Sequence, residues 1–176
     1  MILVVSTGRA GTSEVAQILI ELGVNMGKRH HAGDKFNPKG YFEDRDFQEL
    51  NMMWFVLGLS EEYDTYERWN MWEDRFKKLV NARKEPWGLK DPGIADNPKL
   101  LAEYINLNSD IIYCTRNRED TIASFMRMKN TIASKAEHIY ENRTKNIKRI
   151  LTGNYLTVDC YDTNKKWKIK KWMGHQ

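Results

Sequence analysis

Residues 2–23, ILVVSTGRAGTSEVAQILIELG, divide into three parts with different physical signatures. Ile2, Leu3, Val4 and Val5 form a continuous apolar run rich in β-branched side chains, the pattern of a strand covered on both faces in a parallel sheet. Further on, Val15, Ile18, Leu19 and Leu22 recur at i, i+3, i+4 and i+7, one stripe of an amphipathic helix, and Gly23 stands where such a helix stops. The loop Ser6 to Ser13 therefore joins a strand to a helix N-terminus, where unpaired backbone N–H groups and the helix dipole favour an anion. Gly8 and Gly11 allow close approach of the backbone, Thr12 and Ser13 add hydroxyls, and Arg9, next to Ala10, adds a full charge. Residues 8–13 thus read as a phosphate cradle. Against the Walker pattern G-x-x-x-x-G-K-[ST], Ser6 takes the first glycine's place and Thr12 the lysine's, which weakens a nucleoside-triphosphate reading and leaves Arg9 as the loop's cation. The alternative is an ordinary β-to-α turn with a surface arginine.

The bounds set by composition agree with a small anionic ligand. A chain of 176 residues suits one domain with a substantial core. Its 28 Lys and Arg against 24 Asp and Glu leave a net charge of +4, too small and dispersed to argue for a nucleic-acid polymer. Cys114 and Cys160 both fall in apolar runs and read as reduced core thiols, favouring a cytoplasmic compartment. Two cysteines and four scattered histidines supply no metal framework. The chain opens on a strand without a basic leader and has no long apolar span, so a soluble protein with no targeting segment and no membrane partner is expected.

Downstream of Gly23 an irregular loop runs to Phe42. Glu43, Asp44 and Asp46 then open a helix whose apolar positions are Phe47, Leu50, Met53, Trp54 and Leu57. A second helix over residues 61–83 carries Tyr66, Trp69, Trp72, Phe76, Leu79 and Val80, an aromatic stripe of the kind that packs a core. Residues 45–85 together form a helical insertion, and Met52 to Trp72 is its best candidate for an acceptor-binding wall. Strands are expected at Trp87–Lys90, Ile111–Thr115 and Tyr155–Cys160, with helices over 98–107, after Asn117, and over 132–151. Asn117 and Asp120 look like a capping pair, and Ser124 lies off the apolar stripe of its helix, its hydroxyl free for a ligand. The terminal helix, with Trp167 and Trp172, is capped by Asp162 or Thr163. The alternation of strand and helix predicts a three-layer α/β domain: a mostly parallel sheet with helices on both faces, of the P-loop nucleotide-binding type. Three ligand-like clusters, at 8–13, 90–91 and 116–124, fall where strands end, the edge at which open α/β sheets bind ligands.

Taken together, STGRAGTS and TRNREDTIASFMR resemble the 5′-phosphosulfate and 3′-phosphate signatures of sulfotransferases that use 3′-phosphoadenosine 5′-phosphosulfate (PAPS), in particular small bacterial and viral members. The resemblance implies that residues 8–13 hold the 5′-phosphate and that Arg116 and Ser124, eight residues apart, hold the 3′-phosphate. A guanidinium forking onto phosphate oxygens beside a hydroxyl is chemically apt for that task. For Arg116 the alternative is an ion pair with Glu119 or Asp120. GLKDP resembles the family's lysine-bearing strand end, KGYFED its G-Y-[FW]-E segment, and the tail YLTVDCYDTNKKWKIKKWMG its closing strand and helix. Met52 to Pro86 resembles nothing in the family. Two features depart from it: Pro92 stands where cytosolic members carry a catalytic histidine, and their R-K-G loop is missing.

The implied activity is metal-free transfer of a sulfuryl group from PAPS to a hydroxyl of a carbohydrate or small molecule, releasing 3′-phosphoadenosine 5′-phosphate (PAP). Arg9 and Lys90 would neutralise charge at the moving group, and Glu43 is the first choice as base, then Asp91, then His31. A P-loop kinase and a non-catalytic nucleotide-binding module are the alternatives. Neither the acceptor nor the oligomeric state is legible.

Overall fold

The computed structural model describes residues 1–27, 32–38, 40–57, 65–152 and 155–174. Within these residues four strands, β1 (Ile2–Ser6), β2 (Gly88–Lys90), β3 (Asp110–Thr115) and β4 (Leu156–Asp159), form one sheet in the order β2-β1-β3-β4, and every neighbouring pair is parallel. The same described residues hold the helices α1 (Thr12–Glu21), α2 (Arg45–Leu57), α3 (Thr65–Asn81), α4 (Pro98–Ile105), α5 (Arg118–Lys129), α6 (Ala133–Ile150) and α7 (Lys165–Met173).

Side chains alternate across β1 as a pleated strand requires. Leu3 and Val5 join Leu89 and Ile111 in a core completed by Phe47 of α2, Trp72 of α3, Tyr104 of α4 and Ile147 of α6. Ile2 and Val4 point the other way, into a second core with Val15 and Leu19 of α1, Ile112, Val158 and Ile169 of α7. The expected three layers are present, and the described sheet is wholly parallel. Helix α5 packs on α6 through Ile122, Phe125 and Ala136.

The chain leaves β1 towards β2 on one side and later returns to place β3 on the other. Strand order therefore reverses between β1 and β3, opening a crevice at their carboxyl ends. The register Val4↔Lys90 and Ser6↔Cys114 brings the ends of all three strands to that edge.

Some local expectations change. Pro92–Asp96 forms a 3-10 turn with Asp91 as its cap, the carboxylate accepting the Gly93 N–H at 2.8 Å. Helix α7 begins at Lys165 without a side-chain cap, and Asp162 instead accepts the Asn164 N–H in the preceding turn. Asn117 does cap α5, through the N–H groups of Glu119 and Asp120, but the Asp120 carboxylate accepts from the Tyr161 hydroxyl. Trp72 and Phe76 stack at 4.6 Å in the first core, with Trp69 stacked on Trp72 at 5.1 Å, so most of the aromatic stripe is core. Tyr66 is the exception, 73% exposed. Cys114 is a buried free thiol whose pKa burial pushes up to about 12, and Cys160 is a half-buried free thiol just beyond β4. Among the described residues no helix is long and apolar enough to cross a membrane.

Candidate active site

The loop between β1 and α1 is wound by left-handed residues: φ is +94° at Gly8, +57° at Arg9 and +75° at Gly11. Ser6, in the place of a Walker glycine, uses its hydroxyl to accept the Gly8 N–H at 2.9 Å and so fixes the turn from below. Gly8 has a steric reason as well as a conformational one, because a Cβ there would come within 2.8 Å of both Arg143 Nη1 and Phe125 Cζ. Helix α1 then starts at Thr12, behind Gly11, which has no side chain to cap it. An uncapped helix N-terminus behind a left-handed turn is a concavity suited to an anion.

Arg9 bridges the two halves of the sheet. Its Nε donates to Ser124 Oγ on α5 at 2.9 Å, and its carbonyl accepts from Arg116 Nη1 at 3.2 Å. Burial lowers the pKa of its guanidinium, nearby Arg116 and Arg127 acting in the same sense while Tyr41 and Asp34 oppose them. Arg116 donates its Nε to the Tyr161 hydroxyl at 3.2 Å, and that hydroxyl donates on to Asp120 at 2.7 Å. The ion pair with Asp120 that stood as the alternative reading of Arg116 is therefore not direct but relayed through a tyrosine.

At the end of β2, Lys90 is almost wholly buried. Its ammonium donates to the Tyr41 carbonyl at 2.8 Å and pairs with Glu43 at 2.5 Å. Gln48 gives its side-chain N–H to the other Glu43 oxygen. Burial lowers the pKa of Lys90, with Glu43 as the chief opposing influence. Asp91 is buried too, its oxygens taken by Asn51 at 3.0 Å and Gly93 at 2.8 Å. Burial raises its pKa, the Glu43 charge adding to the effect.

These groups meet in one cleft of about 620 Å³. Gly8, Arg9 and Gly11 line it from the loop, Thr12 and Ser13 from the first turn of α1, Lys90 and Asp91 from the end of β2 and just beyond it, Arg116 from just after β3, and Glu43 from just before α2. Two expected site residues do not line it. The Ala10 side chain lies in the second core, and Ser124 is buried beneath Arg9, a support for that guanidinium rather than a hydroxyl facing the cleft. Ser13 lines the cleft, but its hydroxyl is tied to the 34–41 loop: it accepts from Asn37 Nδ2 at 2.9 Å and donates to the Tyr41 carbonyl at 3.3 Å. His31 lies outside the described residues.

Arg143 of α6 is a cleft residue the sequence did not single out. It grips Asp96 with two bonds of 2.7 and 2.6 Å and sends Nη1 to the Thr7 carbonyl at 3.2 Å, with its guanidinium 5.7 Å from the Phe125 ring centre. It thus holds the β1–α1 loop at Thr7, two residues from the Arg9 carbonyl that Arg116 holds. Of the acceptor wall expected from Met52 to Trp72, Trp72 is buried in the first core with Met53, Trp54 and Trp69 packed against it, Met52, Phe55, Val56 and Tyr66 are exposed, and among the described residues of that stretch only Met52 lines the cleft. Among the described residues no three His, Cys, Asp or Glu side chains come together in a group that could hold a metal ion.

No protein-family model matches the chain, and no curated protein matches it by sequence. Among solved structures, the sulfotransferase domain from the Synechococcus PCC 7002 olefin synthase matches over 98% of this chain and 71% of its own, with a TM-score of 0.56 at 17% sequence identity. The four-stranded parallel sheet and its helices thus have the sulfotransferase-like, P-loop-type fold.

Proposed function

We propose that this chain transfers a sulfuryl group from PAPS to the hydroxyl of a small-molecule or carbohydrate acceptor, releasing PAP. The observation that carries this reading is the meeting of the Arg9 loop and Arg116 in one cleft, joined by the Arg116–Arg9 contact at 3.2 Å. Two cationic centres on adjoining strand ends suit a nucleotide with phosphate at two positions. The fold and the uncapped start of α1 fit the same ligand.

PAPS would supply the activated sulfuryl group. Transfer forms an S–O bond to the acceptor oxygen, breaks the S–O bond to the phosphate, and releases the acceptor's proton to a base. The backbone of residues 11–13 and the Arg9 guanidinium would hold the 5′-phosphate, and Arg116 the 3′-phosphate, with Ser124 keeping Arg9 in place. Lys90 has three N–H donors, of which Tyr41 and Glu43 take two, so the third is available to the charge that builds at the moving group. Both acids line the cleft, and Glu43 is the base in this scheme because its oxygens accept from the side chains of Lys90 and Gln48 at the cleft wall, whereas those of Asp91 are held by buried Asn51 and by the backbone N–H of Gly93 in the cap of the 3-10 turn.

Thermal melting tests the proposal. PAP without magnesium should raise the midpoint by several degrees at saturating concentration, as expected of a ligand that binds only the folded state. Stabilisation by ATP with magnesium and not by PAP would replace sulfuryl transfer with phosphoryl transfer. Appearance of labelled sulfate on a hydroxyl acceptor separates an enzyme from a binding module.

A further inference from the structure

Helix α2 has two apolar faces, and only one of them is used by the core. Phe47 and Leu50 are buried, while Met52, Phe55 and Val56, at i, i+3 and i+4, are 64%, 46% and 57% exposed. Single exposed apolar residues are ordinary on protein surfaces, but these three form one strip. The strip also has a direction. Met52 lines the cleft, and Phe55 and Val56 continue from it along the helix for about 6 Å at the usual rise per residue. Inside the cleft the strip meets further apolar wall at Phe36, Pro92 and Met128.

Two amide side chains of the cleft lining, Gln48 and Asn37, are already engaged. Gln48 gives its amide N–H to Glu43, and Asn37 gives its own to Ser13. A polyhydroxylated acceptor drawing on these two amides would disturb the base and the phosphate loop. An alkyl chain needs neither.

From this continuity we infer that the acceptor is an alcohol on an extended apolar chain, its hydroxyl at Glu43 and Lys90 and its tail along Met52, Phe55 and Val56. The inference rests on the sulfuryl-transfer reading and chooses among the acceptors that reading allows.

The test is transfer of labelled sulfate from PAPS to n-alkanols from butanol to decanol, with methyl glucoside for comparison and PAP-induced thermal shift measured in parallel. KM should fall about two- to fourfold with each methylene until the chain outruns the strip, as burial of successive CH₂ groups requires. Methyl glucoside should be no better than butanol. The double variant Phe55→Ser, Val56→Ser should raise KM for decanol at least tenfold while leaving butanol turnover and the PAP shift unchanged. A KM independent of chain length, or a preference for the glucoside, overturns the inference. So does a dimer that the double variant dissociates without changing decanol KM, since the strip would then be covered by a second copy. A normal PAP shift with no alkanol sulfated defeats the acceptor assignment and leaves the donor assignment standing. Loss of the PAP shift in the unaltered protein defeats both.

Discussion

Lys90 and Glu43 form the buried ion pair to which the proposed function assigns the chemistry of the cleft. A buried ammonium is costly unless it is paired, and Glu43 supplies the partner while facing the cavity where an acceptor hydroxyl would lie. Glu43→Gln keeps an oxygen for Lys90 to donate to but cannot take a proton. Turnover should therefore fall at least a hundredfold, the ordinary scale of general-base catalysis, while the PAP-induced thermal shift stays within error. Normal turnover in that variant would remove Glu43 as base. Glu43 is visible in the sequence because KGYFED places an acid directly before a helical pattern. Arg143 is not. In the highly charged run ENRTKNIKRI one arginine looks like any other, and only the packing of α6 against the loop at Gly8 distinguishes it.

Asp91 acts at the scale of elements, closing β2 and opening the 3-10 turn that leads to α4. The sequence reads it as a strand-end acid near the chemistry, since a five-residue turn has no periodicity and Pro92-Gly93 looks like a simple break. Ambiguity of the same kind affects α2 and α3, where helical spacing of aromatic and methionine side chains is identical for a core and for a ligand wall. Tertiary burial decides it, inward for Trp72 and outward for Met52. Regular elements are legible because β-branched runs and i, i+3, i+4 stripes arise from the same burial that forms the two cores. The structural role of Asp91 has a pH signature. Burial raises its pKa above the ordinary 3.8, so between these values the folded protein holds a proton that the unfolded chain has lost. Stability from this group is fully present below 3.8 and is lost as pH climbs through the raised value. An Asp91→Asn variant has no titrating group at this position. The melting temperature of wild type minus variant should accordingly decrease from acid to neutral pH and then level off. A difference that grows with pH would mean that the Gly93 N–H and Lys90 hold Asp91 as a stabilised anion.

For the molecule as a whole, the order β2-β1-β3-β4 accounts for a cleft built from segments more than a hundred residues apart. Placing β1 beside β3 brings Arg116 to the carbonyl of Arg9, and under the proposed function Arg116 would have two separable tasks. One is mechanical, bracing the phosphate loop. The other is recognition of the 3′-phosphate, the group that distinguishes PAP from adenosine 5′-monophosphate. Arg116→Ala measures the division between them. A lost charge-assisted hydrogen bond is worth about 1.5–3 kcal/mol, which corresponds to a roughly ten- to 150-fold drop in affinity. If Arg116 recognises the 3′-phosphate, titration calorimetry should show a loss of that size for PAP and a much smaller loss for adenosine 5′-monophosphate, which keeps only its contacts with the Arg9 loop. Equal losses for the two nucleotides would make Arg116 a brace alone and leave the 3′-phosphate without its assigned partner. The comparison also controls for folding, because a variant with a collapsed loop would lose both ligands together and melt lower in their absence.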